Sequence, residues 1–468
     1  MRKTKIICTI GPASRSPAIV RKLVPHVDIF RINFSHGDAR SHLEEIRTIR
    51  NEAKKAGKTV AILQDLPGPK IRVRRIATGS AELERGSQVQ LTSEDIEGDA
   101  SRVPVNNPDL LKSVRKGDVL HLADGTIRLR VEEQGDGVAR CTVLAGGVLS
   151  SGKGVNAPGV KLRIDYPTSR DKAYLKFGLR HRVDFVAISF VRTPADVRAV
   201  RSLLSPEGPM LIAKIEKKEA VTNLDGVLAD ADGAMVARGD LGIEAPIETV
   251  PAIQKTVILK CNEAGKPVIV ATQMLLSMMN FPVPSRAEVT DVSTAILDGT
   301  DAVMLSDETT VGRYPVEAVR MLDKIARSTE KSLLSFARPL PEVESSETGS
   351  AIARAACRLA DYVGAKAIVA PTQTGATARR VSMYRPSQPI IGICTDGGVA
   401  RRLMICRGVL PVVLRPAKSL DWLFAQADKA AERLELAKKG ERIVVTSGTP
   451  GMKGTTNTIK VSVVGSRA

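Results

Sequence analysis

Short apolar runs and longer amphipathic stretches alternate along this chain. The runs lie at Thr4–Ile10, Val27–Asn33, Thr59–Gln64, Val183–Ser189, Met210–Glu216, Gly233–Ala237, Pro267–Ala271 and Asp301–Leu305. Each is rich in Val, Ile and Ala on both parities, as strands buried on both faces must be. Between most of them lie stretches of helical length, such as Ser41–Lys55, Pro194–Leu204, Val250–Ala264 and Ser285–Leu297. Strand and helix in alternation, with eight strands, close most economically as a (β/α)8 TIM barrel. One gap breaks the even spacing. From Lys70 to Ile164 the pattern shifts to short alternating segments, Val119–Leu122, Ile127–Val131 and Ala139–Leu144, punctuated by glycine turns. That pattern predicts an inserted all-β unit, and insertion after a barrel strand places it over one rim as a lid.

A Pro/Glu/Ser-rich connector, Arg338–Glu347, follows the barrel. Alternation then resumes with helices Gly349–Val363, Ala376–Met383, Val399–Cys406 and Leu420–Lys438 and strands Lys366–Ala370, Ile390–Cys394, Val409–Leu414, Arg442–Thr446 and Ile459–Val464. A C-terminal α/β three-layer domain is expected. The predicted architecture is thus α/β throughout: a barrel from residues 1–69 and 165–337, a lid from 70–164 and a C-terminal domain from 348–468.

Composition narrows the class. At 468 residues the chain exceeds what one hydrophobic core supports. It has no apolar stretch of membrane length, and the opening run MRKTKIICTIG is too short for a secretory leader, so a cytoplasmic protein without a membrane partner is expected. Six cysteines without any CxxC pair predict buried, reduced thiols. The net charge of +18 is dispersed over helix-like segments, and aromatics are only 3%, which argues against a nucleic-acid partner and leaves anionic metabolites.

The candidate chemistry stands at the ends of the runs. Glu216 and Asp240 end neighbouring predicted strands, where two carboxylates suit one hard cation such as Mg²⁺. Lys214 lies two residues before Glu216, hence on the same side of its strand. Arg31, at the end of the second run, and Arg72, just after the third, offer guanidinium forks for phosphoryl oxygens. Carboxyl-terminal strand ends are where barrel enzymes keep their active sites, so a metal-assisted reaction on an anionic substrate is expected.

Six segments carry a resemblance: Arg31-Ile32-Asn33-Phe34-Ser35-His36-Gly37, Leu66-Pro67-Gly68-Pro69-Lys70-Ile71-Arg72, Ala213-Lys214-Ile215-Glu216, Met235 to Gly242, Ala271-Thr272-Gln273-Met274-Leu275 and Ala295 to Ser306. In this order they resemble the motifs of the pyruvate kinases, and the similarity runs from Thr4 to Val464. The resemblance implies Mg²⁺-dependent phosphoryl transfer from phosphoenolpyruvate to ADP, giving pyruvate and ATP, with Mn²⁺ as a substitute metal. It implies that Glu216 and Asp240 hold the metal, that Lys214 neutralises the phosphoryl group in flight and that Arg31 grips its oxygens. Gly239 and Asp240 would present amides to the substrate carboxylate, with Thr272 beside it. Arg72, Asn33, Ser35, His36 and Asp165 would approach the nucleotide and its metal. The proton donor to the enolate is not named by the sequence; Thr272 acting through water is one candidate. A homotetramer is implied as well. A Mg²⁺-dependent lyase acting on a pyruvate enolate would use the same carboxylates, but it needs neither a lid nor Lys214.

Three departures from the family pattern stand out. Leu276 occupies a position that is usually acidic, and Asp307 one that is usually glycine. Lys70 stands where potassium-requiring members carry glutamate, and Leu66 where they carry threonine. In those members Asn33, Ser35, Asp65 and the Leu66 backbone would hold K⁺; a tethered ammonium carries the same charge, so the expectation is that Lys70 replaces the ion and that K⁺ is not required. The loops Thr372–Thr377 and Thr446–Thr455 match the places where family members bind phosphorylated effectors, and hydroxyls and glycines ahead of a helix suit an anion.

Overall fold

A computed structural model describes residues 1–160, 165–333, 347–416, 419–448 and 456–466. Residues 161–164 at the end of the predicted lid, all of the connector except Glu347, and 449–455 of the second effector loop lie outside the described residues.

Eight parallel strands close into a barrel: β1 (Lys5–Thr9), β2 (Ile29–Asn33), β3 (Ala61–Leu66), β4 (Phe185–Ile188), β5 (Met210–Ile215), β6 (Gly233–Ala237), β7 (Val268–Ala271) and β8 (Ala302–Leu305). They pair in chain order, and β8 returns to β1 with Lys5 opposite Ala302. Side chains alternate between the two faces. Ile6, Phe30, Ile62, Val186, Leu211, Val236, Val270 and Val303 face outward and pack beneath the surrounding helices. Ile7, Ile29, Leu63, Phe185, Ile212, Met235, Ile269 and Met304 fill the interior. The helices are specified locally. Asp38 and Ser41 form a reciprocal capping box at the start of Ala39–Lys55, as do Ser285 and Glu288 before Arg286–Asp298. Barrel helices that periodicity left unnamed are Pro17–Leu23, Ser169–Arg180, Leu224–Asp230 and Pro315–Leu333.

Between β3 and β4 lies the insert. A six-stranded sheet and a two-stranded pair, Ser80–Leu83 with Gly147–Ser150, enclose their own apolar core. The insert is not wholly β: Asn107 caps a short helix, Pro108–Ser113, by accepting from the amides of Asp109 and Leu110.

In the C-terminal region the sheet contains β9 (Ile368–Val369), β10 (Ile390–Cys394), β11 (Val409–Val413), β12 (Arg442–Ser447) and β13 (Thr458–Val463). Their spatial order is β11-β10-β9-β12-β13, with only β13 antiparallel. Ile368, Ile390 and Val444 pack toward helices Thr348–Tyr362 and Ala376–Met383, while Val369, Ile391 and Val445 pack toward Leu420–Arg433. Three layers result. The barrel interior and the first of these faces form one contiguous apolar cluster. Ion pairs fasten the same junction: Arg385 donates to both carboxylate oxygens of Asp301, at 2.6 and 3.0 Å, and Arg401 to Asp184 at 2.7 Å. All six cysteines are buried and unpaired, and among the described residues no helix is long and apolar enough to cross a membrane.

Candidate active site

The parity that fills the barrel with Ile29, Leu63, Phe185 and Ile212 continues toward the carboxyl ends of the strands, where the inward positions become polar. They are Thr9, Arg31, Asp65, Ser189, Lys214 and Glu216, all buried. These side chains form one network. Arg31 Nε donates to Asp65 Oδ2 at 2.7 Å and Arg31 Nη1 to Thr9 Oγ1 at 3.0 Å. Lys214 Nζ donates to Ser189 Oγ at 2.8 Å and lies 2.7 Å from Glu216 Oε1 and 3.4 Å from Asp65 Oδ1. Burial opposes the charge on Lys214, but the carboxylates of Asp65 and Glu216 outweigh it and raise its pKa. Asp65 is likewise held below the usual carboxylate range: burial opposes its charge, and Lys214 and Arg31 overcome that. The ammonium is therefore fixed in charge and in place.

Asp240 is not at a strand end. β6 stops at Ala237, and Asp240 sits in the first turn of a short helix, Arg238–Glu244, because the Arg-Gly-Asp sequence carries no β-branched residue to extend the strand. The turn after β7 is held beside it. Thr272 and Gln273 adopt φ of +70° and +53°, a left-handed conformation costing on the order of 1–3 kcal/mol per residue. Arg238 holds them there, donating to the Thr272 carbonyl at 2.7 Å and to that of Gln273 at 3.1 Å while Asp291 anchors it at 2.6 Å. Thr272 Oγ1 accepts from the Gly239 amide at 2.8 Å. The Gly239 amide expected to face a substrate carboxylate is thus committed to Thr272, while the amides of that first turn have no helical acceptor.

Lys70 reaches across from the insert. Its Nζ donates to Asp240 Oδ1 at 3.1 Å and lies 5.7 Å from the centre of the Phe190 ring. The set that resemblance assigns to K⁺ is Asn33, Ser35, Asp65 and the Leu66 backbone. Several oxygens of that set already have donors: Asn33 Oδ1 accepts from the Ser35 amide at 3.1 Å, the Leu66 carbonyl from Ser189 Oγ at 2.8 Å, and Asp65 from Arg31. The turn between Leu66 and Lys70 hugs β4 through Gly68, with φ +63°, where a Cβ would lie 2.8 Å from the Ser189 carbonyl. Arg72 donates to the Gly152 carbonyl at 2.8 Å, within the insert, rather than joining the buried network. Its charge still reaches the rim: partial burial first, then Arg72, Lys70 and Arg31 depress the pKa of His36. Asp165 is exposed beside the undescribed residues 161–164.

The residues fit a divalent cation. Glu216 is fully buried, its Oε2 accepts from the Phe190 amide at 2.8 Å, and its Oε1 lies 2.7 Å from the Lys214 ammonium. Burial, and then repulsion from Asp240, push the Glu216 pKa up against the pull of Lys214. Bound positive charge would relieve both. Among the described residues no group of three His, Cys, Asp or Glu forms a metal cluster. Two carboxylates completed by substrate oxygens are the donor set that suits Mg²⁺. Sequence reasoning missed Ser189 and the Phe190 amide. Ser189 was reachable, as the inward-facing end of its predicted strand; a backbone amide leaves no such signal.

A closed barrel with cations and paired carboxylates converging on one rim defines a metal-assisted enzyme acting on anionic substrates. Comparison with known proteins names the family. The family models "Pyruvate kinase, barrel domain" and "Pyruvate kinase, alpha/beta domain" match residues 1–319 and 350–462. A pyruvate kinase of Staphylococcus saprophyticus is 44% identical, over 99% of this chain and 81% of its own length. One from Thermotoga maritima is 43% identical, over 98% of this chain and 99% of its own. A crystal structure of a pyruvate kinase from Cryptosporidium parvum superposes with a TM-score of 0.91 at 36% identity, covering 99% of this chain and 96% of that one. The chain belongs to the pyruvate kinase family. Its reaction is that of the family, the metal-dependent transfer of a phosphoryl group from phosphoenolpyruvate to ADP in glycolysis.

Proposed function

We propose how this chain's residues divide that reaction. Glu216 and Asp240 would hold Mg²⁺, or Mn²⁺ in its place, and the bound ion would supply Lewis-acid polarisation of the substrate. Lys214 stabilises the charge that develops while the phosphoryl group is between partners, as suits a loose transition state governed by positioning and electrostatics. Arg31, braced by Asp65 and Thr9, binds phosphoryl oxygens, and Thr272 orients the substrate beside the helix that carries Gly239 and Asp240. Arg72, His36, Asn33, Ser35 and Asp165 line the approach of the nucleotide, and the insert closes over it to exclude water. The observation that carries this reading is the buried Lys214 ammonium 2.7 Å from the fully buried carboxylate of Glu216.

The contacts of Lys70 support a reading in which K⁺ is not required. Lys70 neutralises Asp240 directly, while donors within the chain occupy oxygens that would hold a monovalent ion. A homotetrameric, cytoplasmic enzyme with a phosphorylated effector at Thr372–Thr377 and Thr446–Thr455 completes the reading. The test is an NADH-coupled assay of pyruvate formation from phosphoenolpyruvate and ADP, with MgCl₂ and a tetraalkylammonium salt as the only cations. Full turnover without K⁺, abolished by a metal chelator, is expected. Turnover that appears only on adding KCl would overturn the role given to Lys70, and turnover that survives the chelator would overturn that given to Glu216 and Asp240.

A further inference from the structure

Both hinges of the insert converge on one peptide of the barrel, the link between Ser189 and Phe190 just past the end of β4. On the outgoing side the backbone at Gly68 passes too close to the Ser189 carbonyl for a Cβ to fit, and Lys70 lies beside the Phe190 ring. On the return side Tyr166 donates its hydroxyl to that same carbonyl at 2.9 Å. Burial first, then Asp171, Asp196 and Glu216, raise the pKa of this phenol, so it keeps its proton and serves as the donor. Its ring packs against the outer core of the barrel, with the Arg192 guanidinium 6.0 Å from its centre. Asp171, in the first turn of the helix Ser169–Arg180, clasps the two sides together. Its Oδ1 accepts from the Gly68 amide at 3.0 Å, and its Oδ2 from the Thr168 amide at 3.0 Å and the Thr168 hydroxyl at 2.6 Å.

The other side of the peptide meets the candidate metal site. Its amide, on Phe190, donates to Glu216 Oε2 at 2.8 Å. Phe190 itself holds φ at +58°, a left-handed conformation that a bulky residue keeps only where its surroundings over-determine it. A peptide group is planar, so its C=O and N–H turn as one, and a donor that fixes the carbonyl fixes the direction of the amide. We propose that Tyr166, given Glu216 as a ligand of the metal, is a positioning residue for that site: it holds the Ser189–Phe190 peptide so that the amide aims Glu216, and the stance of the insert thereby sets how tightly the metal is held. Without the hydroxyl the strained peptide relaxes and its amide leaves Glu216. The released Oε2 then turns to the Lys214 ammonium, already 2.7 Å from Oε1, and that ammonium competes with the metal for the whole carboxylate.

The test measures Mn²⁺ binding to the full-length chain without substrate, following the free ion by electron paramagnetic resonance. Tyr166→Phe keeps the ring and removes only the hydroxyl. It should weaken Mn²⁺ binding about threefold to tenfold, the scale of one lost hydrogen bond, with a Tm close to that of the parent. Activity titrated against MgCl₂ should show the half-saturating concentration rising by a similar factor, with a smaller change in kcat. Glu216→Gln, measured alongside, should lose most of the Mn²⁺ affinity. Unchanged affinity in Glu216→Gln overturns the metal site and the role of Tyr166 with it, whereas affinity lost in Glu216→Gln but unchanged in Tyr166→Phe overturns the role of Tyr166 alone. A Tyr166→Phe protein that is less stable yet binds Mn²⁺ as the parent does marks the hydroxyl as structural and overturns that role equally. Hydrogen exchange on the unaltered chain keeps the test independent of whether the variant folds: Mn²⁺ alone should slow exchange in residues 165–173 as well as 188–192, and no slowing in 165–173 overturns the linkage.

Discussion

Lys214 carries a charge whose value depends on the moment of reaction. It is already balanced by Glu216 and Asp65 before substrate arrives, so Lys214→Met should disturb ground-state binding less than the barrier. A fall in kcat of roughly 10²–10³, about 3–4 kcal/mol, with a smaller change in KM for phosphoenolpyruvate is expected; steady-state kinetics at saturating metal check it. Lys70→Glu places a second carboxylate beside Asp240 in place of an ammonium at 3.1 Å. That variant should need less Mg²⁺ for half-maximal activity, because a repelling cation gives way to an attracting carboxylate, and should respond to added KCl, which the unmodified chain should not; titrating both cations on the two proteins decides it. Away from the rim, Glu52 accepts from Arg21 at 2.7 Å and Lys55 at 2.6 Å, and these bonds pull its pKa from 4.5 down to about 2. The folded pKa lies below the unfolded one, so the contribution to stability is full above 4.5 and fades as pH falls toward 2. The difference in Tm between the parent and Glu52→Gln should narrow over that window and stay constant above it.

At the scale of elements, the short helix Arg238–Glu244 joins two tasks. Its first turn carries Asp240, and its last residue, the buried Glu244, accepts from Lys217 at 2.8 Å and from Asn156 of the insert at 3.0 Å. Lys70 and Asn156 therefore grip the helix at both ends from the insert. Glu244→Ala would strand the buried Lys217 ammonium, a loss of about 3–5 kcal/mol, and loosen the insert. Faster hydrogen exchange in residues 70–160 and a larger rise in KM for ADP than for phosphoenolpyruvate are expected. Much at this scale was legible in the sequence. β5 and β6 were located to within a residue because their Val, Ile and Ala content on both parities has no other economical explanation. What escaped was fixed by tertiary contact. Nothing in Leu66-Pro67-Gly68-Pro69-Lys70 points toward a carboxylate beyond the sixth strand, so the contact of Lys70 with Asp240 left no signal in the sequence. The strand-end position given to Asp240 failed because a helix starts immediately after Ala237, where chain-order reasoning saw only a carboxylate following an apolar run.

Across the whole molecule, Arg385 and Asp301 lock the C-terminal domain to the base of β8. Arg385→Ala leaves Asp301 buried with its ion pair removed, at a cost of about 3–5 kcal/mol. Calorimetry should show a lower Tm, and chemical denaturation monitored by Trp422, in the C-terminal helix Leu420–Arg433, should part from the loss of activity, with C-terminal unfolding first.

The apolar cluster that runs from Ile7, Ile29 and Met304 inside the barrel to Tyr384, Leu403 and Met404 beyond its floor changes what counts as a removable part. The family models divide the chain in sequence, with a break between residues 319 and 350, whereas the packing has no break there. A gene fragment ending at that break would encode a barrel with an open, greasy base, prone to self-association rather than to independent life as a smaller enzyme. Exchange of C-terminal regions between relatives would succeed only when the residues paving the barrel floor travel with them, so the heritable module is wider than the one drawn along the chain.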